Sequence, residues 1–295
     1  MTAHIQLRSK VQAEEAKKFL GQMIDEDSFD VLVSGDAVVY KPNGQKLCGL
    51  RKNVLSPELL DEADKALDVI KHQTTDLRGT YAGGVRVKRT KDDGTEESVV
   101  VDPETGERMS VHSSIAGYYD RHPRFPFCRE TSFTAQQVEL WNSGMVPLAQ
   151  RVGEVFRETI TDRWQKQMDV VTKTSKDFVI TGTPFTTLTI NGTVRAGVHY
   201  DKGDLKEGFG CITARRKGRY SGFYLCFPEY RVAVDIGDRD ILFFDPHEMH
   251  GNTRMIKIDD DAERISVVYY YRSRIAECGS AEQERQAAKR AKGSL

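Results

Sequence analysis

The chain of 295 residues carries almost no net charge, since 43 Lys and Arg stand against 44 Asp and Glu and leave −1. That balance excludes a global basic field drawing it to nucleic acid or an anionic membrane, so any such contact needs a local patch. Long apolar runs are lacking as well. None approaches the roughly 18 to 20 residues of a membrane span, and the opening MTAHIQLRSKVQAEEAKKFL has acidic residues where a signal peptide has its apolar stretch. The expected address is the cytoplasm, with no membrane partner. Cysteines are few: Cys48, Cys128, Cys211, Cys226 and Cys278 are odd in number and show no CxxC spacing. This argues against a disulfide framework and a thiolate zinc site and predicts reduced, mostly buried thiols. There is no internal repeat and no Pro- or Ser-rich linker, so one domain is expected, as a monomer.

What is present fills a core, with 39% hydrophobic residues. The stretch VLVSGDAVVYKPNGQKLCGLRKNVL alternates around Pro42-Asn43-Gly44-Gln45, a hairpin signature. Ser56 and Pro57 then set an N-cap and first helical position for LLDEADKALDVIKH. Residues 78–110, rich in Gly, Lys, Asp and Glu, read as an exposed hairpin. Between Thr134 and Thr174 apolar residues recur at helical spacing, and an interruption near Ser143-Gly144 predicts two helices. After Lys176 the period becomes two: FTTLTI, TVRAGVH, SGFYLCF, YRVAVDI, DILFFD and ISVVYYYR read as strands of a compact β module. The charged tail AEQERQAAKRAKGSL is expected to be a frayed helix or disordered.

His199 and Asp201 stand two residues apart at the end of the TVRAGVH segment, where an extended backbone points both to one face. His250 follows the apolar strand DILFFD. Two imidazoles and one carboxylate can occupy one face of an octahedron, the facial triad of non-haem Fe(II) oxygenases. His247 competes with His250; His250 is favoured because Gly251 directly after it permits a close approach to the metal. A zinc-protease reading fails, because its histidines must be four apart on a helix. Arg264 opens the next strand and Ser266 follows it, a pair able to hold the far carboxylate of 2-oxoglutarate, bidentately and by a hydroxyl. The implied cofactors are Fe(II), 2-oxoglutarate and O2.

The segments HYDKGD, FPEYRVAVDIGDRDILFFDPHEMHGNT and ERISVVYYYR resemble the core of the TET and J-binding-protein oxygenases. SSIAGYYDR, PFCRETSFT and TINGTVRAGVH resemble the compact phage and bacterial members, so that the likeness spans roughly residues 110 to 273. The resemblance implies oxidation of the 5-methyl group of 5-methylcytosine or thymine in DNA, with His199, Asp201 and His250 as metal ligands and Arg264 on 2-oxoglutarate. Ser266 carries over more weakly. It also suggests a phage or bacterial source, with host cytoplasm as the address for a phage protein. Asp201 favours hydroxylation, since related halogenases have a small residue there.

A methyl on a stacked base is out of reach of a buried iron, so a duplex would present its base flipped. Asn191, Arg195 and Tyr200, near the triad in sequence, are candidates to meet the base, although Asn191-Gly192 also reads as a hairpin turn. Arg215, Arg216, Lys217 and Arg219 form a basic run read as a loop, either touching DNA phosphates or plainly solvated; RVKRT and KRAK are further basic segments. Tyr118, Tyr119, Arg129 and Thr131 lie in resembling segments, where packing is the larger prior for the aromatics. Two other readings stay open: a hydroxylase of a free nucleoside, nucleotide or other small metabolite, and a cupin-like binding module. The architecture expected is α+β: a double-stranded β-helix (jelly-roll, cupin-like) core with supporting helices over 111–275, an N-terminal elaboration over 1–110 that could pack as a semi-independent lobe, and the tail 276–295.

Overall fold

A computed structural model describes residues 2–8, 10–75 and 78–293. Strand β1 (Ala3–Gln6), the single turn α1 (Ala13–Ala16), β2 (Val31–Val33) and the hairpin of β3 (Ala37–Tyr40) and β4 (Lys46–Arg51) open the chain. Helix α2 (Pro57–Ile70) begins as the sequence predicts, with the Ser56 hydroxyl accepting from the Leu59 N–H at 3.3 Å. Its buried Leu60, Ala63, Leu67 and Ile70 recur every three or four residues and form one apolar stripe. β5 (Thr74–Thr75), the exposed hairpin of β6 (Val85–Thr90) and β7 (Glu96–Val101), β8 (Val111–Tyr119) and β9 (Arg129–Glu130) follow.

The helical stretch departs from the expected pair. α3 (Ser132–Gln136), α4 (Val138–Leu140), a π turn (Trp141–Met145) and α5 (Val146–Thr159) run on without a stop at Ser143-Gly144, and the path breaks instead at Ile160 before α6 (Thr161–Val171). Gly144 has a packing reason: a Cβ there would lie 2.8 Å from the Glu62 carbonyl oxygen, so glycine lets the π turn press against the backbone of α2.

The remaining strands are β10 (Thr187–Gly192), β11 (Gly210–Lys217), β12 (Tyr220–Gly222), β13 (Leu225–Phe227), β14 (Val232–Val234), β15 (Ile241–Phe244), β16 (Gly251–Asn252), β17 (Met255–Lys257) and β18 (Glu263–Tyr270). The tail forms a helix, α7 (Ala281–Gly293). Two sequence expectations fail here. TVRAGVH is not a regular strand, because its N–H groups go to separate partners, Gly197 to Tyr81 and Val198 to Gln22. The basic run is not a loop, because Arg215, Arg216 and Lys217 sit on β11 paired with Ile265, Arg264 and Glu263 of β18.

Among the described residues a ten-stranded sheet has the order β1-β3-β4-β15-β11-β18-β10-β8-β5, with β9 on β8, and a four-stranded sheet has the order β16-β13-β14-β2. The N-terminal elaboration is therefore no separate lobe, since β4 pairs with β15 and β2 with β14. Strand period places the cores. Val38, Cys211, Ile241, Phe243, Val267 and Tyr269 face α2 and α5, whereas their neighbours Val39, Ile212, Leu242 and Phe244 face Leu225, Phe227 and Val234 of the second sheet. This two-layered sandwich with helices on one outer face is the double-stranded β-helix of an α+β protein.

The cysteines also correct the sequence reading. Cys48, Cys211 and Cys226 are free and buried, but Cys128 and Cys278 are joined in a disulfide across 150 residues of sequence. No local spacing could announce a pair so distant. No helix of the described residues is long and apolar enough to cross a membrane.

Candidate active site

His199 and His250 are held opposite each other by two backbone bonds, His199 N–H to the His250 carbonyl at 2.9 Å and the reverse at 3.1 Å. Asp201 is fixed by its own N–H to the Pro246 carbonyl at 2.9 Å. The Asp201 carboxylate lies 3.6 Å from His199 Nε2 and 3.3 Å from His250 Nε2, and one donor atom from each of the three falls within 4.8 Å of the others. Each imidazole is oriented from behind: His199 Nδ1 donates to the Gly197 carbonyl at 2.8 Å and His250 Nδ1 to the Glu248 carbonyl at 2.9 Å. With Nδ1 carrying the proton, both Nε2 lone pairs turn to the shared centre.

Burial holds His199 below the usual imidazole pKa, and the neighbouring His250 adds to that. Burial also opposes charge on His250, yet the Asp201 carboxylate outweighs it and raises His250. For Asp201 itself, burial works upward and the two imidazoles more than offset it, bringing the carboxyl to about 2. A neutral imidazole and an ionised carboxylate are the states that ligate Fe(II), and the N,N,O donor set fits that ion. His247 is elsewhere, 3.6 Å from Asp245 on a neighbouring cleft with Arg163 and Lys202. At Gly251 a Cβ would meet the backbone of Ala196, Gly197 and Val198 at 3.1 Å, so glycine there permits close approach of the His199 segment.

Beside the triad is a cavity of about 680 Å³. Strand alternation supplies its wall, because Arg264, Ser266, Val268 and Tyr270 of β18 all line it while Val267 and Tyr269 point into the helix-side core. Arg264 is 3% exposed. One terminal nitrogen donates to the Phe223 carbonyl at 2.9 Å, whereas its Nε has no partner among the described residues. Burial lowers its pKa to about 10. A desolvated guanidinium with an unused donor fits an incoming carboxylate. Two non-glycine residues with left-handed backbone frame it. Phe223 (φ 57°) presents that carbonyl, and Thr193 (φ 53°) bonds the Arg264 backbone through its N–H and hydroxyl. Strain at two points around one side chain is a mark of a functional position.

The other sequence candidates divide. Asn191 lies on β10 rather than in a solvent turn, accepts from the Ser113 hydroxyl at 2.7 Å, and lines the cavity with Tyr200. Arg195 does not face the cavity; its guanidinium bonds the Ile24 carbonyl at 2.7 Å and Asp25 at 2.9 Å, tying down the N-terminal segment. The basic run is neutralised: Arg215 pairs with Asp64, Arg216 with Asp235, Lys217 with Asp261 and Arg219 with Asp259. Those acids come from distant segments, which a reading of neighbours in sequence does not reveal. Thr131 caps α3, accepting from the Thr134 N–H.

Sequence reasoning missed Arg78, Tyr81, Asp204, Tyr270 and Arg272, all on the cavity wall. Arg78 donates to the Thr189 hydroxyl at 3.2 Å, and the Tyr81 ring stands edge-on to His199 with centroids 5.2 Å apart. Burial and the Asp201 charge push the Asp204 carboxyl well above the ordinary range. The one available signal was the repeat of the strand period, which places Tyr270 on the face of Arg264 and Ser266.

A double-stranded β-helix with this cavity belongs among the 2-oxoglutarate and Fe(II) oxygenases. Within that class the chain belongs to the Tet_JBP family, the oxygenase domain of the 2OGFeDO superfamily, which matches residues 114–273. It is 38% identical over 173 residues to thymine dioxygenase JBP1 of Leishmania braziliensis, covering 57% of this chain and 20% of that protein. It is 35% identical over 188 residues to thymine dioxygenase JBP1 of Trypanosoma brucei brucei, covering 62% and 22%. The chain thus spans about a fifth of the length of these curated relatives. Among solved structures, NgTET1 in complex with 5mC DNA shares the fold, with TM-score 0.60 at 14% identity over 97% of this chain and 100% of that one.

Proposed function

We propose that this protein is an Fe(II)- and 2-oxoglutarate-dependent dioxygenase that oxidises the 5-methyl group of a pyrimidine in DNA, with thymine as the first candidate and 5-methylcytosine the second. The observation that carries it is the convergence of the three donor atoms within 4.8 Å with a buried, incompletely bonded Arg264 on one cavity. The relatives named thymine dioxygenase set the order of the two bases. In this reading His199, Asp201 and His250 hold the metal, and Arg264, helped by Ser266, holds the distal carboxylate of 2-oxoglutarate. Iron with 2-oxoglutarate and O2 would supply an oxidant for C–H bonds, the decarboxylation to succinate and CO2 consuming one oxygen atom of O2 and leaving the other for the substrate. The chain's own residues orient the parts: the Gly197 and Glu248 carbonyls fix the imidazoles, and Arg264 fixes the cosubstrate's far end. Asn191, Tyr200, Tyr270 and Asp204 then offer a polar and aromatic wall to a base drawn into the cavity.

The neutralised basic strand β11 favours a second reading, a free 5-methylpyrimidine nucleotide as substrate. Both are tested by mass spectrometry of nucleosides after incubation with Fe(II), 2-oxoglutarate and DNA containing thymine and 5-methylcytosine, beside His199→Ala. Hydroxymethyl, formyl or carboxyl pyrimidine is expected, absent in the variant. Succinate without base oxidation in DNA moves the substrate to the free nucleotide, and absence of succinate sinks the oxygenase reading.

A further inference from the structure

The hairpin joining β8 to β9 has no part in the triad or at Arg264. Residues 121–129 read RHPRFPFCR, with three arginines, one histidine, two phenylalanines and no carboxylate. His122 and Phe125 exchange two backbone hydrogen bonds, 2.9 and 2.7 Å, so Pro123 and Arg124 form a tight tip. Phe125 is 38% exposed. The Arg129 guanidinium lies 4.5 Å from the ring centroids of both Tyr119 and Phe125, and that of Arg124 lies 5.4 Å from Phe125. One terminal nitrogen of Arg129 is buried with no hydrogen-bond partner among the described residues.

The hairpin is tied to the cavity wall through the residue before it. Asp120, directly before it, forms a 2.7 Å ion pair with Arg272, which lines the cavity. The Nε of Arg272 is a second buried donor without a partner among the described residues. The far end of the hairpin is anchored: Cys128 is disulfide-bonded to Cys278, and its N–H donates at 2.7 Å to Glu284, which also takes Arg121. An exposed aromatic ring thus stands beside the guanidinium groups of Arg124 and Arg129, on a hairpin joined to the cavity wall through the Asp120–Arg272 ion pair.

We propose that this hairpin grips the DNA strand flanking the reacting nucleotide, with Phe125 stacking on the base left beside the extruded one and Arg129 and Arg124 holding the adjacent phosphate. The inference rests on the DNA reading above. Withdrawing a base costs stacking, and an inserted aromatic offsets part of that cost. Every base has a face on which Phe125 can stack, so the grip needs no sequence preference. Arg121 is taken by Glu284, but Arg124 and Arg129 make no ion pair among the described residues, which suits an anion and contrasts with the compensated β11.

The test uses the full chain with Fe(II) and 2-oxoglutarate, a duplex oligonucleotide carrying 2-aminopurine beside the target base, and free 5-methylpyrimidine nucleotide as the comparison ligand. Phe125→Ala is expected to weaken duplex affinity about tenfold and abolish the 2-aminopurine rise, with Phe125→Trp restoring both. Arg124→Ala is expected to lower the slope of log affinity against log salt by about one phosphate contact. Mononucleotide affinity, 2-oxoglutarate affinity and melting temperature should stay at wild-type values, since both side chains are exposed. Wild-type duplex affinity and an unchanged 2-aminopurine signal in Phe125→Ala overturn the hairpin's role alone. An equal loss of mononucleotide affinity also overturns it, by placing Phe125 in the pocket. A wild-type protein that neither binds nor oxidises DNA overturns the DNA reading and the grip together.

Discussion

Lys41 shows how far from the reaction a single residue can act on it. It is 5% exposed and bonds Asp245 at 2.8 Å and Glu248 at 2.6 Å, and the Glu248 carbonyl orients His250. Lys41→Met leaves two carboxylates short of their cation, so unfolding should become easier by about 3 to 5 kcal/mol, read by urea titration. Burial pushes Asp245 up, but bonds from His247 and Lys41 outweigh it and bring it to about 2. Its pKa is depressed on folding, so its stabilisation is present above the ordinary carboxylate value and is lost as pH falls through about 4 to 2. Melting temperature against pH should drop through that window in the wild type and be flatter in Lys41→Met. Arg264→Met should cost at least about a hundredfold in 2-oxoglutarate affinity by calorimetry, with Arg264→Lys recovering only part, because ammonium cannot reproduce the fork. The triad and Arg264 were legible in sequence because their spacing is local or lies on recognisable strands. Lys41 was not, because its partners are more than 200 positions away.

Among the elements, strands were easier to read than the segments between them. β10, β14, β15 and β18 repeat the period-two pattern, whereas TVRAGVH has the pattern without a ladder, since its backbone partners are scattered over Gly21, Gln22, Tyr81, His250, Asn252 and Arg264. β11 was hidden by its basic end, which looked like a turn until acids from α2 and the segments at 235 and 259–261 were placed against it. The same blindness to distance concealed the disulfide, which ties the segment just before α7 to the hairpin at 128. Reducing it should lower stability by about 2 to 4 kcal/mol, seen as a fall in melting temperature with a phosphine reductant and matched by Cys128→Ser. Because Glu284 still bonds Cys128, Gly279 and Arg121, α7 should stay docked after reduction, with its amides slow to exchange.

For the molecule as a whole, near-zero net charge and a neutralised β11 predict that the proposed binding to DNA depends weakly on salt. The slope of log affinity against log salt should be about −2 to −3, as for two or three phosphates, rather than the steep value of a basic groove. Filter binding at several salt concentrations measures it, and a slope beyond about −6 would mean that cationic surface elsewhere dominates. The overall architecture was legible from the switch to period two after Lys176, but the integration of the first fifty residues was not, because edge pairing leaves no mark in the pattern of either partner. That pairing has a consequence for an excised segment. β4 covers β15 and β2 covers β14, yet both covering strands lie outside the family-matched segment 114–273. Moved alone, the segment would expose two open ladders of N–H and C=O groups that invite aggregation. As cut at 114–273, the segment would need both edges paired, covered or charged before it could stand by itself.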